Sequence, residues 1–549
     1  MPASATTTLR GLVAGLAAAL ALSGCQSSVP GIVGGQLAAA HGGGVVEALV
    51  GPDQVLNPLF EQTDNDREID SLIYQGLTTA GAGEAVRLQL AASMTVSSDR
   101  LSYTFGLRRG VRWADGRPFT ADDVLFTFQT MQAADYSVPT QQLWRDITVE
   151  KVDATTVRFT LKAPSASFPL ALRQGIIPAH VFNGENAAQI RQDQHSAARA
   201  FGTGPFRVRA LSADRQKVVL ERNDQASPRP LLDTFEFHSY PSLGDAVDAV
   251  SRGDADTVGA LNLPTVPGLS RRPDLGVRQI PTYDFVAVMF NLDGTQASVL
   301  SPPEVRQALA KAVNRQRIVT SILDGRADVA SGPVPPTVWA FAPSAASRNG
   351  YDPAAAGRLL DQAGWTLDQA SGLRMKAGQP LQLTLVTPDG YPYKQVAGEI
   401  QSDFKAVGVT LTVQPVSLPA LVSQYLMGKQ FQLALAAVDN GPDPDQYPLW
   451  HSGAASDSIN FAGPMMPHQA LIDKDLEDGR GGGDRPSRAA AYTDFQDLMA
   501  QAAPAIFLFE PHYSYVISKR VRGVSTNPVI EPVDRLGGAA GWFVNTKGS

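Results

Sequence analysis

Cysteine is almost absent from this sequence, and basic residues are fewer than acidic ones. A single Cys among 549 residues excludes an intrachain disulfide and a metal site built from several thiolates. The chain has 46 Lys and Arg against 53 Asp and Glu, a formal net charge of −7, which argues against nucleic-acid binding. Because 44% of the residues are hydrophobic, the chain can build several cores. Its length predicts about two to four domains or one large two-lobed body.

Motifs for catalysis and cofactor binding are missing as well. The sequence contains no G-x-S-x-G nucleophile elbow, no H-E-x-x-H, no P-loop and no strand-linked G-x-G-x-x-G. Its seven His residues stand singly, without the spacing of a metal site. A hydrolytic enzyme would rest only on scattered Ser, His and Asp. We therefore predict a non-enzymatic protein with no catalytic residues, no cofactor and no metal.

The only long apolar run of the sequence lies near its start, at residues 11–22. With 12 residues it is shorter than the roughly 20 that a helix needs to cross a bilayer. It has the form of the apolar region of a secretory signal, and the tetrapeptide LSGC that ends at Cys25 resembles the bacterial lipobox. We predict a signal peptide at 1–24, a lipid on Cys25 and a flexible tether at 25–44. The alternative is an ordinary signal peptide with an incidental Cys.

The clearest architecture lies in the second half of the chain. The spacing of apolar residues predicts strands and helices in alternation, at 381–385, 396–407, 409–413, 418–425 and 431–437. This β-α-β-α-β order implies a parallel sheet covered by helices. Ligands bind beyond the carboxyl ends of the strands in such sheets, so we expect a site in the loop after Ala437, which reads VDNGPDPDQYPLWHS.

Strand patterns are more frequent in the N-terminal half. Alternation predicts strands at 103–105, 157–161 and 218–222, and Thr120 is a suitable N-cap for a helix over 122–128. Near the other end, the glycine-rich stretch 479–483 predicts an exposed loop.

Several motifs of this chain occur in the same order in a known group of proteins. The most specific is LSYTFGLRRGVRWADGRPFTADDV at 101–124. It is accompanied by LNPLF at 56–60, LIYQGL at 72–77, GTGPF at 202–206, FN at 290–291, PEVRQA at 303–308 and AGW at 363–365. Through these motifs the sequence resembles the bacterial extracellular solute-binding proteins of family five, the peptide- and nickel-type receptors of ABC importers.

The resemblance implies an α/β, two-lobed fold of the periplasmic-binding-protein type (class II, cluster C), with the ligand cleft between the lobes. Lobe I would comprise residues 45–282 and 511–549, including a strand-rich subdomain at about 70–195. Lobe II would comprise residues 283–510. The motif around Trp113 would be structural and hold a strand-turn-helix corner.

The resemblance also implies where a ligand is held. Peptide-binding relatives place an acid after the last parallel strand, where it pairs with the α-ammonium group of the ligand. Asp439, Asp443 and Asp445 are all candidates for this position. The other ligand-binding candidates come from the shared motifs and from the same loop: Asn57, Tyr74, Asn291, Tyr447, Trp450, His451 and Asn460. The alternatives are that Trp450 belongs to the core and that Asp445 is a solvated turn residue.

The function that follows is that of an extracytoplasmic receptor that delivers peptides or other amine-bearing solutes to an ABC permease. We expect a monomer, held to the outer face of the cell membrane by its lipid, which binds a small solute and no nucleic acid. The alternative is an envelope scaffold or regulatory lipoprotein that keeps the receptor fold without transport. The altered turn PMMPH at 464–468 is its only support in the sequence.

Overall fold

The computed structural model describes residues 38–53, 55–81, 84–138, 141–261, 266–292, 298–346, 348–453, 461 and 466–547. Contacts within the chain separate a body, Ala39–Thr546, from a small unit made of both chain ends. The predicted signal peptide, Cys25 and most of the predicted tether lie outside the described residues. Within the described ranges, no helix is both long and apolar enough to cross a bilayer.

The structure contains strands of 2 to 14 residues. In chain order they are β1 Ala38–Ala40, β2 Gly44–Val50, β3 Thr78–Gly81, β4 Glu84–Leu88, β5 Ala91–Val96, β6 Ser102–Leu107, β7 Thr148–Asp153, β8 Thr156–Thr160, β9 Phe206–Leu211, β10 Lys217–Arg222, β11 Thr234–Tyr240, β12 Thr257–Leu261, β13 Leu275–Pro281, β14 Phe285–Phe290, β15 Ala327–Val329, β16 Thr366–Asp368, β17 Leu373–Lys376, β18 Gln379–Pro380, β19 Gln382–Pro388, β20 Thr410–Val416, β21 Leu433–Val438, β22 Ala505–Ser518 and β23 Asn545–Lys547.

The α-helices alternate with these strands. They are α1 Asp64–Ile73, α2 Ala121–Gln132, α3 Gln141–Trp144, α4 Phe168–Ala171, α5 Ala179–Phe182, α6 Ala187–Gln192, α7 Leu243–Arg252, α8 Val266–Leu269, α9 Pro303–Ala312, α10 Arg315–Arg317, α11 Pro343–Ala346, α12 Pro353–Gln362, α13 Tyr393–Ala406, α14 Leu418–Ala420, α15 Tyr447–Trp450, α16 Gln469–Gly481 and α17 Arg485–Ala502. Short 3-10 helices lie at Gln194–Ser196 and Pro532–Gly541, and π-helical turns at Ile318–Ile322 and Leu421–Leu426.

The predicted β-α-β-α-β unit is confirmed. Strand β19 pairs in parallel with β20 and with β21, and α13 and the α14 region provide the crossovers. The apolar face of α13 is buried at Val396, Ile400 and Phe404. These three positions follow the spacing expected of an amphipathic helix that covers one face of a sheet. The unit therefore places the ends of β19 and β21, with their loops, at the same edge of the sheet.

The long strand β22 belongs to both halves of the body. Its first part pairs with β14, and its later part pairs with β12 and β13. The buried apolar residues before and after this passage form separate cores. One core, which defines lobe II, draws on residues 283–509 and Ile530. The cores that define lobe I draw on residues 45–280 and 513–542.

The strand patterns of the N-terminal half are also confirmed. Strands β5, β6, β8 and β7 form a four-stranded antiparallel sheet. Helix α2 begins after Thr120, whose hydroxyl accepts a hydrogen bond from Asp122 N, while the Asp123 carboxylate accepts one from Thr120 N. This reciprocal cap satisfies amide groups that would otherwise lack partners at the start of the helix.

The prediction of an exposed loop at 479–483 is wrong for its first three residues. They form the last turn of α16, and Gly479 is buried. A Cβ at Gly479 would lie 2.5 Å from the ring of Tyr492 on α17. Glycine is therefore required at this position because two helices pack closely there, which the local sequence does not reveal.

A buried ion triad joins the C-terminal segment to the start of lobe I. The Arg535 guanidinium donates to Glu47 Oε1 at 2.9 Å and to both carboxylate oxygens of Glu68, at 2.9 and 2.7 Å. The side chains of Arg535 and Glu47 are 1% and 0% exposed. Glu47 also accepts hydrogen bonds from Tyr515 at 2.6 Å and from Thr257. Because every charge has a partner, the triad fixes β2, α1, β12 and β22 to one another.

We predict that Arg535→Met lowers the free energy of unfolding by about 3–5 kcal/mol, because it leaves two buried carboxylates without their cation. Arg229→Met is the matched control. Arg229 pairs with Asp224 at 2.7 Å on the surface, with 54% and 63% of the two side chains exposed. Its loss should change stability by no more than about 1 kcal/mol. Urea denaturation of both variants measures the difference, and equal midpoints would contradict the importance given to the triad.

Candidate ligand-binding site

A large cavity lies on the lobe I side of the body. It has a volume of about 1550 Å³. Its lining comes from α1 and the segment before it, from the corners around β4 and β6, and from the C-terminal 3-10 helix. Polar and charged side chains in the lining include Glu61, Arg67, Asp70, Tyr74, Arg173 and Glu531. The cavity is large enough for a solute of several residues and is polar enough to orient one.

Tyr74 is the one predicted site residue that lines this cavity. It is the C-cap of α1, and its hydroxyl donates to the carbonyl oxygens of Leu56 and His195 at 3.3 and 3.5 Å. Because these hydrogen bonds fix the side chain, the Tyr74 ring forms a fixed part of the cavity wall.

Asn57 and Asn291 are buried structural residues in this structure. Asn57 donates to the Ser196 hydroxyl at 2.8 Å and accepts from Leu59 N at 3.0 Å. Asn291 donates to the carbonyl oxygens of Lys429 and Phe431 at 2.8 and 2.9 Å. Both amides thus satisfy the backbone of neighbouring turns, which explains their polar character without a ligand.

Two of the three candidate acids after β21 are engaged in ion pairs. Asp443 accepts two hydrogen bonds from Arg488 on α17, at 2.8 and 3.0 Å, and the two side chains are 7% and 11% exposed. Asp445 pairs with Arg480 of α16 at 3.1 Å. Burial raises the pKa of Asp445, and the charge of Arg480 opposes that shift. These carboxylates attach the loop to α16 and α17.

Aromatic residues of the loop after β21 also help to attach this loop to α16. Tyr447 stacks on His451 with ring centroids 3.9 Å apart, and the Arg480 guanidinium lies over the Tyr447 ring at 4.5 Å. His451 Nε2 is 3.2 Å from Glu477. Trp450 is 1% exposed and packs in the core of lobe II, which agrees with the alternative that it belongs to the core. Asn460 lies outside the described residues.

Asp439 differs from the other two acids because it is exposed and its neighbour is another carboxyl group. Burial, together with the charge of Asp439, raises the pKa of Asp284 to about 7. Asp439 also adds to the raised pKa of Glu531, which burial increases in the first place. No arginine or lysine pairs with Asp439 among the residues that the structure describes. This carboxylate is therefore available to a cation from outside the chain.

Sequence patterns did not identify the acids of lobe I. Glu61 directly follows the LNPLF motif, and Asp70 lies in α1 among buried residues, next to Ile69. The sequence feature that could have identified Asp70 is an acidic residue at a position that the helical spacing predicts to be buried. A buried acid on a helix can also be structural. The carboxylate of neighbouring Asp66 accepts hydrogen bonds from the backbone amides of Val55, Gln62 and Thr63.

Backbone contacts join the lobes on the side of α16. Arg100, in the turn between β5 and β6, donates to Gly481 O at 3.1 Å, and Ala166 N donates to Arg480 O at 3.3 Å. The residue that holds Asp445 thus also contacts lobe I. The loop after β21, α16 and the β5–β6 turn consequently form one connected contact between the lobes.

Among the described residues, Asp439 has no cationic partner, and it lies close enough to Glu531 of the cavity lining to raise the pKa of that residue. Within the described ranges, no three or more His, Cys, Asp or Glu side chains lie together in a way that could hold a metal ion. The arrangement suits a cationic ligand that brings its own charge to the acids.

Comparison with known proteins gives matches over most of the chain. The family described as bacterial extracellular solute-binding proteins, family 5 middle, matches residues 85–459. Oligopeptide-binding protein AppA of Bacillus subtilis is 26% identical over 497 residues, which is 89% of this chain and 90% of that protein. Protein XP55 of Streptomyces lividans is 30% identical over 533 residues, 94% of this chain and 92% of that protein.

A solved structure supports the same relationship. The structure of AppA from Bacillus subtilis in complex with a nonapeptide matches this chain with a TM-score of 0.69 and 25% identity, and the match covers 92% of this chain and 100% of that chain. The predicted two-lobed α/β fold is therefore confirmed.

We predict that Asp443 and Asp439 differ in their effect on stability. Asp443→Ala leaves the Arg488 guanidinium without its carboxylate in a buried position, and should lower the free energy of unfolding by about 3–5 kcal/mol. Asp439→Ala, in the same loop, removes a like charge from beside Asp284 and should leave stability unchanged or raise it. Thermal unfolding of the two variants at pH 8 tests this, and an equal loss in both would show that Asp439 is structural too.

Proposed function

The chain belongs to the bacterial extracellular solute-binding proteins of family 5, and we propose that it is a receptor that captures peptides or similar amine-bearing solutes between its lobes. The solved structure of the relative AppA is a complex with a nonapeptide, and the cavity of about 1550 Å³ gives this chain room for a solute of several residues. A cavity of this size in lobe I supports a receptor that holds a solute.

The observation that carries the proposal is the state of Asp439. Asp443 and Asp445 are paired with arginines, whereas Asp439 is exposed next to Asp284. Two adjacent carboxyl groups repel each other when both are ionised, and a ligand ammonium group relieves that repulsion. We assign the pairing with the α-ammonium group to Asp439 and a structural role to the other two acids.

Capture would proceed by closure of the lobes. We propose lobe I as residues 45–282 with 511–549 and lobe II as 283–510, with the chain crossing between them near 282 and within β22. A ligand that contacts both lobes shifts the population toward the closed form. The hydrogen bonds from Arg100 to Gly481 and from Ala166 to Arg480 already join the lobes in this structure, and the open form would lack them.

The surroundings of the receptor are also part of this proposal. A lipid on Cys25 would hold the protein at the outer face of the membrane, and the 25–44 segment would let the body reach an ABC permease. The receptor would bind and release its solute as a monomer, without chemical turnover. The mass of the mature protein, with 24 residues removed and a diacylglyceryl group added, would establish the anchor.

We expect Asp439→Asn to weaken binding of a free-amine peptide by about tenfold or more, because closure removes water from the charge pair. A mixture of alanine-based pentapeptides screened by native mass spectrometry identifies a bound peptide, and calorimetry gives its affinity. The N-acetylated form of the same peptide is the chemical control. It should bind the native protein weakly and lose no further affinity in the variant.

The reverse result would contradict the assignment. If Asp439→Asn binds the free-amine peptide as tightly as the native protein does, then Asp439 is not the amine anchor. Absence of binding by every peptide in the mixture would exclude the peptide receptor itself.

A further inference from the structure

Five carboxyl groups follow one another from the start of β14, through the loop after β21, into the lobe I cavity: Asp284, Asp439, Glu531, Glu61 and Asp70. We call this set the carboxyl row. Each neighbouring pair is close enough for one charge to raise the pKa of the other. The last three members line the cavity. The row therefore extends well past the single acid that an α-ammonium group requires.

Asp70 ends the row and is its most unusual member. The residue is 1% exposed, and neither carboxylate oxygen has a hydrogen-bond partner among the described residues. A buried carboxyl group without a partner is costly, and such groups in native proteins call for an explanation. The cavity that Asp70 lines is where a partner could be supplied.

Glu61 lies beside Asp70 in the same lining and makes no ion pair within the described part of the chain. The charge of Arg67 acts on Glu61 and opposes its raised pKa, but Arg67 donates its hydrogen bond to Asp64. Arg173, the other cation of this region, pairs with Asp534 and lies 3.7 Å from Glu531. The protein's own arginines are thus committed to other acids, and Glu61 and Asp70 are left to the cavity.

The remaining four arginines of the lining, Arg87, Arg108, Arg109 and Arg112, lie on β4 and in the segment after β6. Arg108, which follows β6, donates to the carbonyl oxygens of Gln89 and Leu88, and Arg112 donates to Gly116 O at 2.8 Å. These contacts hold them at the corner next to β4, whereas Glu61 and Asp70 belong to α1 and the segment before it. Glu61 and Asp70 thus lie on the α1 side of the cavity together with Arg67, away from the four arginines on β4 and after β6.

We propose that Glu61 and Asp70 form a second cation subsite, and that the receptor selects peptides carrying a lysine or arginine side chain. The inference rests on the proposed function, in which Asp439 takes the α-ammonium group. The side-chain cation of the same peptide would then reach Glu61 and Asp70 and supply the partner that they lack.

The groups around the subsite give it a pH dependence with a definite sign. Burial raises the pKa of Glu61 to about 8, with Asp66 and Glu531 adding to the shift and Arg67 opposing it. Burial also raises the pKa of Asp70 well above its ordinary value.

Asp70 is surrounded by further titratable groups. Glu61, Asp66 and Asp53 add to its raised pKa, and Arg215 opposes the shift. The Tyr74 hydroxyl faces Asp70 as well, and its own pKa is raised by burial and by that carboxyl group. A cation can pair only with ionised carboxylates, so binding of a basic side chain should release protons, and the preference for a lysine peptide over its norleucine counterpart should grow from pH 6 to pH 9.

The experiment compares alanine-based pentapeptides that carry one lysine, at each position in turn, with counterparts that carry norleucine. Calorimetry at pH 8 should give a preference for the best lysine peptide of about tenfold or more in the native protein. Asp70→Asn and Glu61→Gln should each reduce that preference to less than about threefold, and fewer protons should be released. Asp248→Asn, which removes an exposed charge from α7 outside the cavity, is the matched control and should keep the full preference.

Each other outcome has a clear meaning. Equal binding of lysine and norleucine peptides by the native protein, or an unchanged preference in the folded Glu61→Gln and Asp70→Asn variants, overturns the second subsite. The effect of Asp439→Asn would stand in that case. If no peptide binds the native protein, the proposed function fails, and this inference fails with it.

Discussion

The fold depends on one buried cation shared by two carboxylates. Arg535, near the end of the chain, bonds to Glu47 on β2 and Glu68 on α1, while Tyr515 of β22 completes the shell of Glu47. The residues come from sequence positions 467 and 488 apart. Because an unpaired charge is far more costly here than at the surface, the chain end must return to lobe I. That return also supplies the cavity wall that contains Glu531 and Asp534.

The same electrostatic rule divides the acids of the cleft into two groups. Asp443 and Asp445 have arginine partners, and these pairs attach the loop after β21 to α16 and α17. Asp439, Glu61 and Asp70 have no such partner among the described residues, and Glu61 and Asp70 line the cavity, so we assign these three acids to binding. A carboxylate that is paired with a cation stabilises the fold. A carboxylate without a cation is unfavourable, and a cationic ligand that pairs with it gains binding free energy by removing that cost.

Much of the architecture could be predicted because it depends on local patterns. The alternation in 381–385 and the helical spacing of 396–407 identified β19 and α13, and Thr120 identified the start of α2. The prediction at 479–483 failed because Gly479 is required by the close packing of its helix against Tyr492 on another helix, which the local sequence does not show. Motifs alone did not show how the candidate site residues are used. Asn57 and Asn291 belong to shared motifs, and in the structure both amides are buried and hydrogen-bonded within the chain.

The sequence by itself determined the order of strands and helices and the family, and it predicted a loop in which an acid would meet the ligand, because periodicity and motif spacing are properties of neighbouring residues. Only the tertiary structure decided which acids of that loop have a cationic partner among the described residues. Arg480 and Arg488 lie 35 and 45 residues after the acids with which they pair, and Glu61 meets the cavity only after α1 packs against the C-terminal segment. The availability of a charge depends on which opposite charge the fold brings beside it, and distance along the chain does not carry that information.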